Sequence, residues 1–159
     1  MYTNYENSYD GGSIAAGLIF SIIGYVLTAW FMGKVFKKAG IAPWRAWVPI
    51  YNNWVFLELG GFKGYLILLG LFAWIPFLGI VASIALIVVM LLAAYRIGAG
   101  FDKGPWWTVL YFFFPVIWLG ILAFGSDYYN PEEARSNGGN PDIYPQDKIP
   151  SVSNQKYGY

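Results

Sequence analysis

The chain contains no cysteine and no histidine. Without cysteine there is no disulfide framework and no thiol nucleophile. Without histidine the commonest zinc ligand and the usual neutral-pH proton shuttle are missing, and no Ser–His or Cys–His pair can form. Charge is scarce as well: 12% of residues are charged, against about 25% in soluble domains. Glu58 is the single acid between Asp10 and Asp102. A net charge of +1 gives no reason to expect nucleic acid as a partner. What is abundant is apolar surface, at 57% of 159 residues. A chain this small keeps too much surface for its volume to bury all of that internally, so hydrocarbon must face lipid.

Residues 14–33 and 105–124 each supply the roughly 20 apolar residues needed to cross a bilayer. The first run follows Glu6 and Asp10 with no Lys or Arg, so it lacks the basic region of a secretory signal and reads as a retained span. The run 64–97, uncharged up to Arg96, is too long for one crossing. Pro76 divides it into two short spans, 61–76 and 79–96, and a re-entrant hairpin is the rival reading of this stretch. The expected fold is therefore an all-α integral membrane protein, a four-transmembrane-helix bundle over residues 13–125. A short interfacial aromatic segment, 41–59, lies between the first two spans. Residues 1–12 and 126–159 are polar and poor in apolar residues, so they read as disordered tails. No internal repeat is evident.

Seven cations punctuate the oily region: Lys34, Lys37, Lys38, Arg45, Lys63, Arg96 and Lys103. With four spans all seven fall on one side, which the positive-inside tendency makes cytoplasmic. Loops 34–63 and 97–104 are then cytoplasmic and both termini outside. Trp30, Trp106 and Trp107 mark the inner interface and Trp74 the outer.

Segment 41–59 is broken by Pro43 and Pro49 and rich in aromatics. Trp44, Trp47 and Val48 share a face at i, i+3, i+4, with Arg45 pointing away. It either lies in the headgroup layer or is a linker packed against helix ends. In the first span Gly17, Ser21, Gly24 and Thr28 form a stripe of small residues, a helix-packing face. The stripe serves either another subunit or, the reading favoured here, this protein's own bundle. Glu58 at membrane depth would be an ion or proton site, but its closeness to Lys63 favours a surface carboxylate. Asn52 and Asn53 suit caps or interhelical bonds. The glycines of 98–104 follow no strand and make no phosphate loop. Catalytic, cofactor and metal residues: none are expected, and the chain is not read as an enzyme.

Lys38-Ala39-Gly40 followed by Trp44-Arg45-Ala46-Trp47-Val48-Pro49-Ile50-Tyr51-Asn52 resembles a family of small bacterial multi-pass membrane proteins of unknown function. Its members are sometimes fused to signal-peptidase-like enzymes. The likeness runs over about residues 30–129, through Pro76, the Gly100–Gly104 turn and Phe124-Gly125. It implies a bacterial plasma membrane and a compact helical bundle. It carries no peptidase activity, since no peptidase domain is present.

The function expected is non-enzymatic: an accessory subunit or scaffold of a larger membrane complex. Its partners would be membrane lipids and other membrane subunits, or further copies of itself. The candidate interaction surface is Trp44, Arg45, Trp47, Pro49, Tyr51 and Asn52. The alternative is a small oligomeric transporter or channel, with Pro76 and Pro115 supplying broken helices. A third reading has segment 41–59 sensing lipid.

Overall fold

The computed structural model describes residues 11–144. Those residues are all-α. Helix α1 is Gly11–Lys38, and a 3₁₀ segment, Pro43–Trp47, leads into α2, Tyr51–Leu59. A second 3₁₀ segment, Gly64–Trp74, leads into α3, Leu78–Gly100. Helices α4 (Trp106–Phe113), α5 (Pro115–Phe124) and α6 (Pro131–Ser136) follow.

Two of these helices, α1 and α3, are long and apolar enough to cross a membrane. At 1.5 Å per residue the 28 residues of α1 extend about 42 Å, more than the roughly 30 Å of hydrocarbon in a bilayer. Only 6% of the most apolar window of α1 is buried, and 22% of that of α3. Apolar helices this bare are not the core helices of a soluble domain, and they point to a membrane location.

The four-helix expectation gives way at two places. Residues 61–76 do not form an α-helix: Gly64–Trp74 is 3₁₀, a long run for that geometry, which at about 2.0 Å rise per residue reaches further than an α-helix of equal length. Residues 105–124 do not form one helix either. Pro115 has no N–H to donate and its ring crowds the carbonyl four residues back, while Phe114 before it is forced out of the helical region to φ −140°, ψ 67°. The chain reverses there. Tyr111 and Trp118 meet edge-to-face across the turn, ring centroids 5.1 Å apart. Lys103 Nζ, ahead of α4, lies 2.9 Å from Asp127 Oδ2, beyond α5. The run that reads as a fourth crossing is a hairpin whose two ends meet.

Segment 41–59 is a hairpin too. After α1 the chain turns at Gly40 and climbs back along it. A Cβ at Gly33 would stand 3.3 Å from the Pro43 carbonyl and 3.7 Å from Ala46 Cβ. Tyr25 Oη donates to the Trp47 carbonyl at 2.7 Å. Helix α2 then descends, so this segment packs against the end half of α1 rather than lying flat beside the bundle. Trp44 and Trp47 face outward, as their 3₁₀ register of three residues per turn requires.

The tips of the first two hairpins share one backbone geometry, so an internal repeat exists after all. In Trp47-Val48-Pro49-Ile50-Tyr51 and in Trp74-Ile75-Pro76-Phe77-Leu78, a 3₁₀ segment ends at Trp and an X-Pro step follows. The next residue then takes positive φ, 66° at Ile50 and 62° at Phe77. Tyr51 N–H donates to Pro49 O and Leu78 N–H to Pro76 O, each at 2.7 Å. These i→i+2 bonds make both tips γ-turns of the rare, strained hand. The carbonyl before each proline is also satisfied, by Asn52 N–H on Val48 O at 2.9 Å and Gly79 N–H on Ile75 O at 2.7 Å. Lipid offers no substitute partner for such groups. The repeat is invisible to residue counting because only Trp and Pro recur, with β-branched residues between them.

The core lies where the hairpins converge, at the end carrying the cations. Phe36, Ile41, Phe56, Leu59, Ile97, Phe101, Trp118 and Leu122 are buried there. Each large apolar side chain so buried contributes about 1.5–3 kcal/mol. Phe56 stacks on Tyr111 at 5.8 Å. Gly60 lets α2 end against α3, since a Cβ on it would sit 2.6 Å from Ala93 Cα. The opposite end, including Ile14–Leu27, Trp74–Leu78 and Phe112–Phe114, is exposed.

The stretch 126–144 is structured, against the expectation of a disordered tail. Asn130 caps α6, its Oδ1 accepting from the N–H groups of Glu132 at 3.0 Å and Glu133 at 3.4 Å. Pro131 occupies the first turn, where its missing N–H costs nothing. Tyr129 and Ala134 are buried in the core. The remainder of that tail, 145–159, and residues 1–10 lie outside the described residues.

Candidate functional site

The cations of this end turn toward the chain's own carbonyls and rings. Lys38 Nζ donates to the carbonyls of Leu122 and Gly125, each at 2.7 Å, and of Asp127 at 3.3 Å. These are the bare carbonyls at the end of α5, where a cation also suits the helix dipole. Lys34 Nζ lies 3.8 Å from the centroid of Phe124. Arg96 Nη1 donates to Gly60 O at 3.1 Å and Gly138 O at 3.2 Å. Its guanidinium covers the Phe62 ring at 4.3 Å.

Beside this lies a denser constellation built on the first hairpin. Arg45 is buried and donates from Nη1 to Tyr51 Oη. Its guanidinium lies 5.1 Å from the Trp44 ring, 5.7 Å from Tyr51 and 3.9 Å from Tyr144. Glu58 uses both carboxylate oxygens: Trp54 Nε1–H donates to Oε1 at 2.7 Å, and Tyr144 Oη–H donates to Oε2 at 2.5 Å. A buried cation and a carboxylate are thus joined through one phenol. Burial holds the Tyr144 hydroxyl well above its ordinary pKa, reinforced by its bond to Glu58, by Tyr51, and by the Glu58 charge.

The six residues of the expected interaction surface divide into two sets. Trp44, Trp47 and Pro49 are exposed. Arg45 and Asn52 are buried and Tyr51 is half-buried. The Asn52 amide bonds inward, Nδ2 to Ala46 O at 3.4 Å and Oδ1 accepting from Asn53 N–H at 2.6 Å. Glu58, expected as a surface carboxylate, is half-buried. Trp54 and Tyr144 complete the constellation and were not legible as site residues.

The small-residue stripe lies on α1, outside this constellation. A Cβ added at Gly17 or at Gly24 would meet nothing within 4 Å. Among the described residues nothing lies against these two glycines, while Thr28 at the other end of the stripe is half-buried. Ser21 Oγ donates to Gly17 O at 2.9 Å and Thr28 Oγ1 to Gly24 O at 2.8 Å, so both hydroxyls are satisfied along the helix. An open groove of about 410 Å³ runs between α3 and the α4–α5 hairpin, lined by Leu86, Ile87, Met90, Leu91, Tyr111, Phe112 and Pro115. It lacks the convergent polar groups that orient a small molecule.

These observations define an all-α protein with two helices able to cross a membrane and a polar core end assembled from hairpins. Residues 44–131 match DUF5684, a family of unknown function. That match takes in more than half of the chain, and the protein belongs to this family. It starts at Trp44 and so includes all six residues of the candidate surface. No curated protein and no solved structure matches the chain.

Proposed function

We propose that the protein is a non-enzymatic integral membrane protein that works through contacts, as an accessory subunit or scaffold of a larger bacterial membrane complex. The observation that supports it is the exposed stretch 14–27 of α1, where a Cβ added at Gly17 or Gly24 would meet nothing within 4 Å. In lipid, where helices associate by close van der Waals approach, such a strip is suited to a second helix.

One arrangement in the membrane goes with this reading. Helix α1 crosses from an outer N-terminus, and Gly64–Trp74 with α3 crosses out and back. The hairpins 41–59 and 105–124 dip in from the cytoplasmic side and return. On this reading residues 126–144 are cytoplasmic, on the side of the cations and opposite the N-terminus.

Purification of the tagged chain in mild detergent, followed by mass spectrometry, tests the function. A defined membrane partner is expected, lost in a Gly17→Leu, Gly24→Leu variant that still inserts. A chain that purifies alone after crosslinking in membranes would refute it. A second reading, a small transporter, draws support from the helix break at Phe114-Pro115. Ion or solute flux in proteoliposomes containing the chain alone would favour that alternative.

A further inference from the structure

The stretch after α6 is fastened in two stages. Through Asn140 it is held by backbone: Gly139 N–H donates to Ala134 O at 2.8 Å and Asn140 N–H to Leu59 O at 2.9 Å. Beyond Asn140, among the described residues, the contacts are made by side chains. Asp142 pairs with Arg135 at 2.5 Å, and Tyr144 enters the first hairpin.

The place Tyr144 enters has the features a phenol requires. The Arg45 guanidinium provides a cation platform 3.9 Å from the ring centroid, an arrangement favoured by the ring quadrupole. Glu58 Oε2 provides a charged acceptor at the hydroxyl, 2.5 Å away. Each wall is also held without Tyr144. Trp54 Nε1 fixes the other oxygen of Glu58 at 2.7 Å, and Tyr51 Oη engages Arg45. A phenylalanine would leave Glu58 Oε2 without this donor, and an acidic side chain would meet a carboxylate. The notch therefore selects a tyrosine and is preorganised to receive one.

We infer that Arg45, Tyr51, Trp54 and Glu58 form a tyrosine-binding notch, which the chain's own Tyr144 fills as a releasable latch. The competing ligand is a tyrosine on an extended segment of another membrane protein. This deepens the scaffold reading above, since the latch covers Arg45 and Glu58 beside the exposed Trp44.

The test uses the full chain in detergent and a fluorescent peptide of residues 136–144, followed by anisotropy. Tyr144→Ala, which vacates the notch, binds the peptide saturably in the submillimolar range. The wild-type chain, with the notch filled, binds it at least tenfold more weakly. A peptide with Tyr144→Phe loses about tenfold in affinity, as expected for a hydrogen bond to a charged acceptor. Equal binding by wild type and Tyr144→Ala, or no saturable binding, overturns the inference. Should Tyr144→Ala fail to fold, nitration of the Tyr144 ring in a Glu58→Gln variant, located by mass spectrometry, decides. Faster nitration at Tyr144 than in the wild-type chain supports the latch, and an unchanged rate there overturns it. Peptide binding needs no partner protein, so a failed co-purification leaves this result intact and a failed peptide assay leaves the scaffold reading intact.

Discussion

Lys103 and Asp127 form an ion pair at 2.9 Å across the open ends of the α4–α5 hairpin. The 23 intervening residues, mostly apolar, leave the polar end of the protein and come back to it. The pair is partly exposed, so Asp127→Asn should cost only about 0.5–1 kcal/mol. Its value is topological. In this cysteine-free chain, single cysteines at Gly104 and at Ser126 should be labelled by a membrane-impermeant thiol reagent from the same side. Labelling from opposite sides would restore a fourth crossing and sink the hairpin.

Much of this was legible in the sequence, and the limits have physical causes. The spacing of Lys38, Arg96 and Lys103 between apolar runs marked one polar end, because charge cannot be left in hydrocarbon. A run of 20 apolar residues, however, is the same string whether it crosses or doubles back. The missing N–H of Pro115 was the one local sign of reversal. In the tail, Asn130-Pro131-Glu132-Glu133 is a helix start with cap, proline and acidic first turn, masked by polar composition around it. The Tyr144–Glu58 contact joins residues 86 apart, and no local pattern announces such a pairing. The Trp–X–Pro tips were present twice, but their equivalence lies in backbone angles.

Those tips carry strain that can be relieved. Ile50 holds φ 66° while 64% exposed, a conformation unfavourable for a β-branched residue by about 1–3 kcal/mol. Glycine adopts it freely, and little buried surface is lost. Ile50→Gly should therefore raise thermal stability in detergent by about 1 kcal/mol, after the glycine's larger unfolded-state entropy is subtracted. Tryptophan-fluorescence melting reads the change. A destabilised variant would mean that the side chain, not the backbone, matters at this tip.

Where α2 ends against α3 there is no room for a side chain. A Cβ at Gly60 would stand 2.6 Å from both Cα and Cβ of Ala93. Backbone atoms cannot swing aside, so Gly60→Ala should destabilise by about 1–3 kcal/mol. A Gly17→Ala change inside α1, with nothing within 4 Å, should leave the isolated chain as stable or raise its stability by up to about 1 kcal/mol. Equal effects at the two positions would contradict this packing.

Trp44 and Trp47 are 57% and 45% exposed on the outer face of the first hairpin. On a hairpin that enters the bilayer beside α1 these exposed rings face lipid, so replacing both by alanine should alter how stability depends on lipid chain length and headgroup. Insertion should be retained, because α1 and α3 are untouched. Melting in nanodiscs of two lipid compositions makes the comparison. Parallel shifts in both lipids would assign the pair a purely internal role.

The Tyr144 hydroxyl supplies a pH signature. Its pKa is raised from an ordinary 10.0, first by burial and then by its bond to Glu58. The folded state thus holds the proton more tightly than the unfolded chain. The stability gained is fully present below about pH 10 and is lost as pH rises toward the higher folded value. Tyr144→Phe cannot show this loss. The stability difference between wild type and Tyr144→Phe should therefore stay constant from pH 7 to about 9.5 and shrink above pH 10. Phenolate absorbance supplies the second reading: removing Tyr144 should subtract nothing from the transition near pH 10 and only from a later one. A missing phenol in the ordinary transition would mean that Tyr144 stands in solvent, outside the notch.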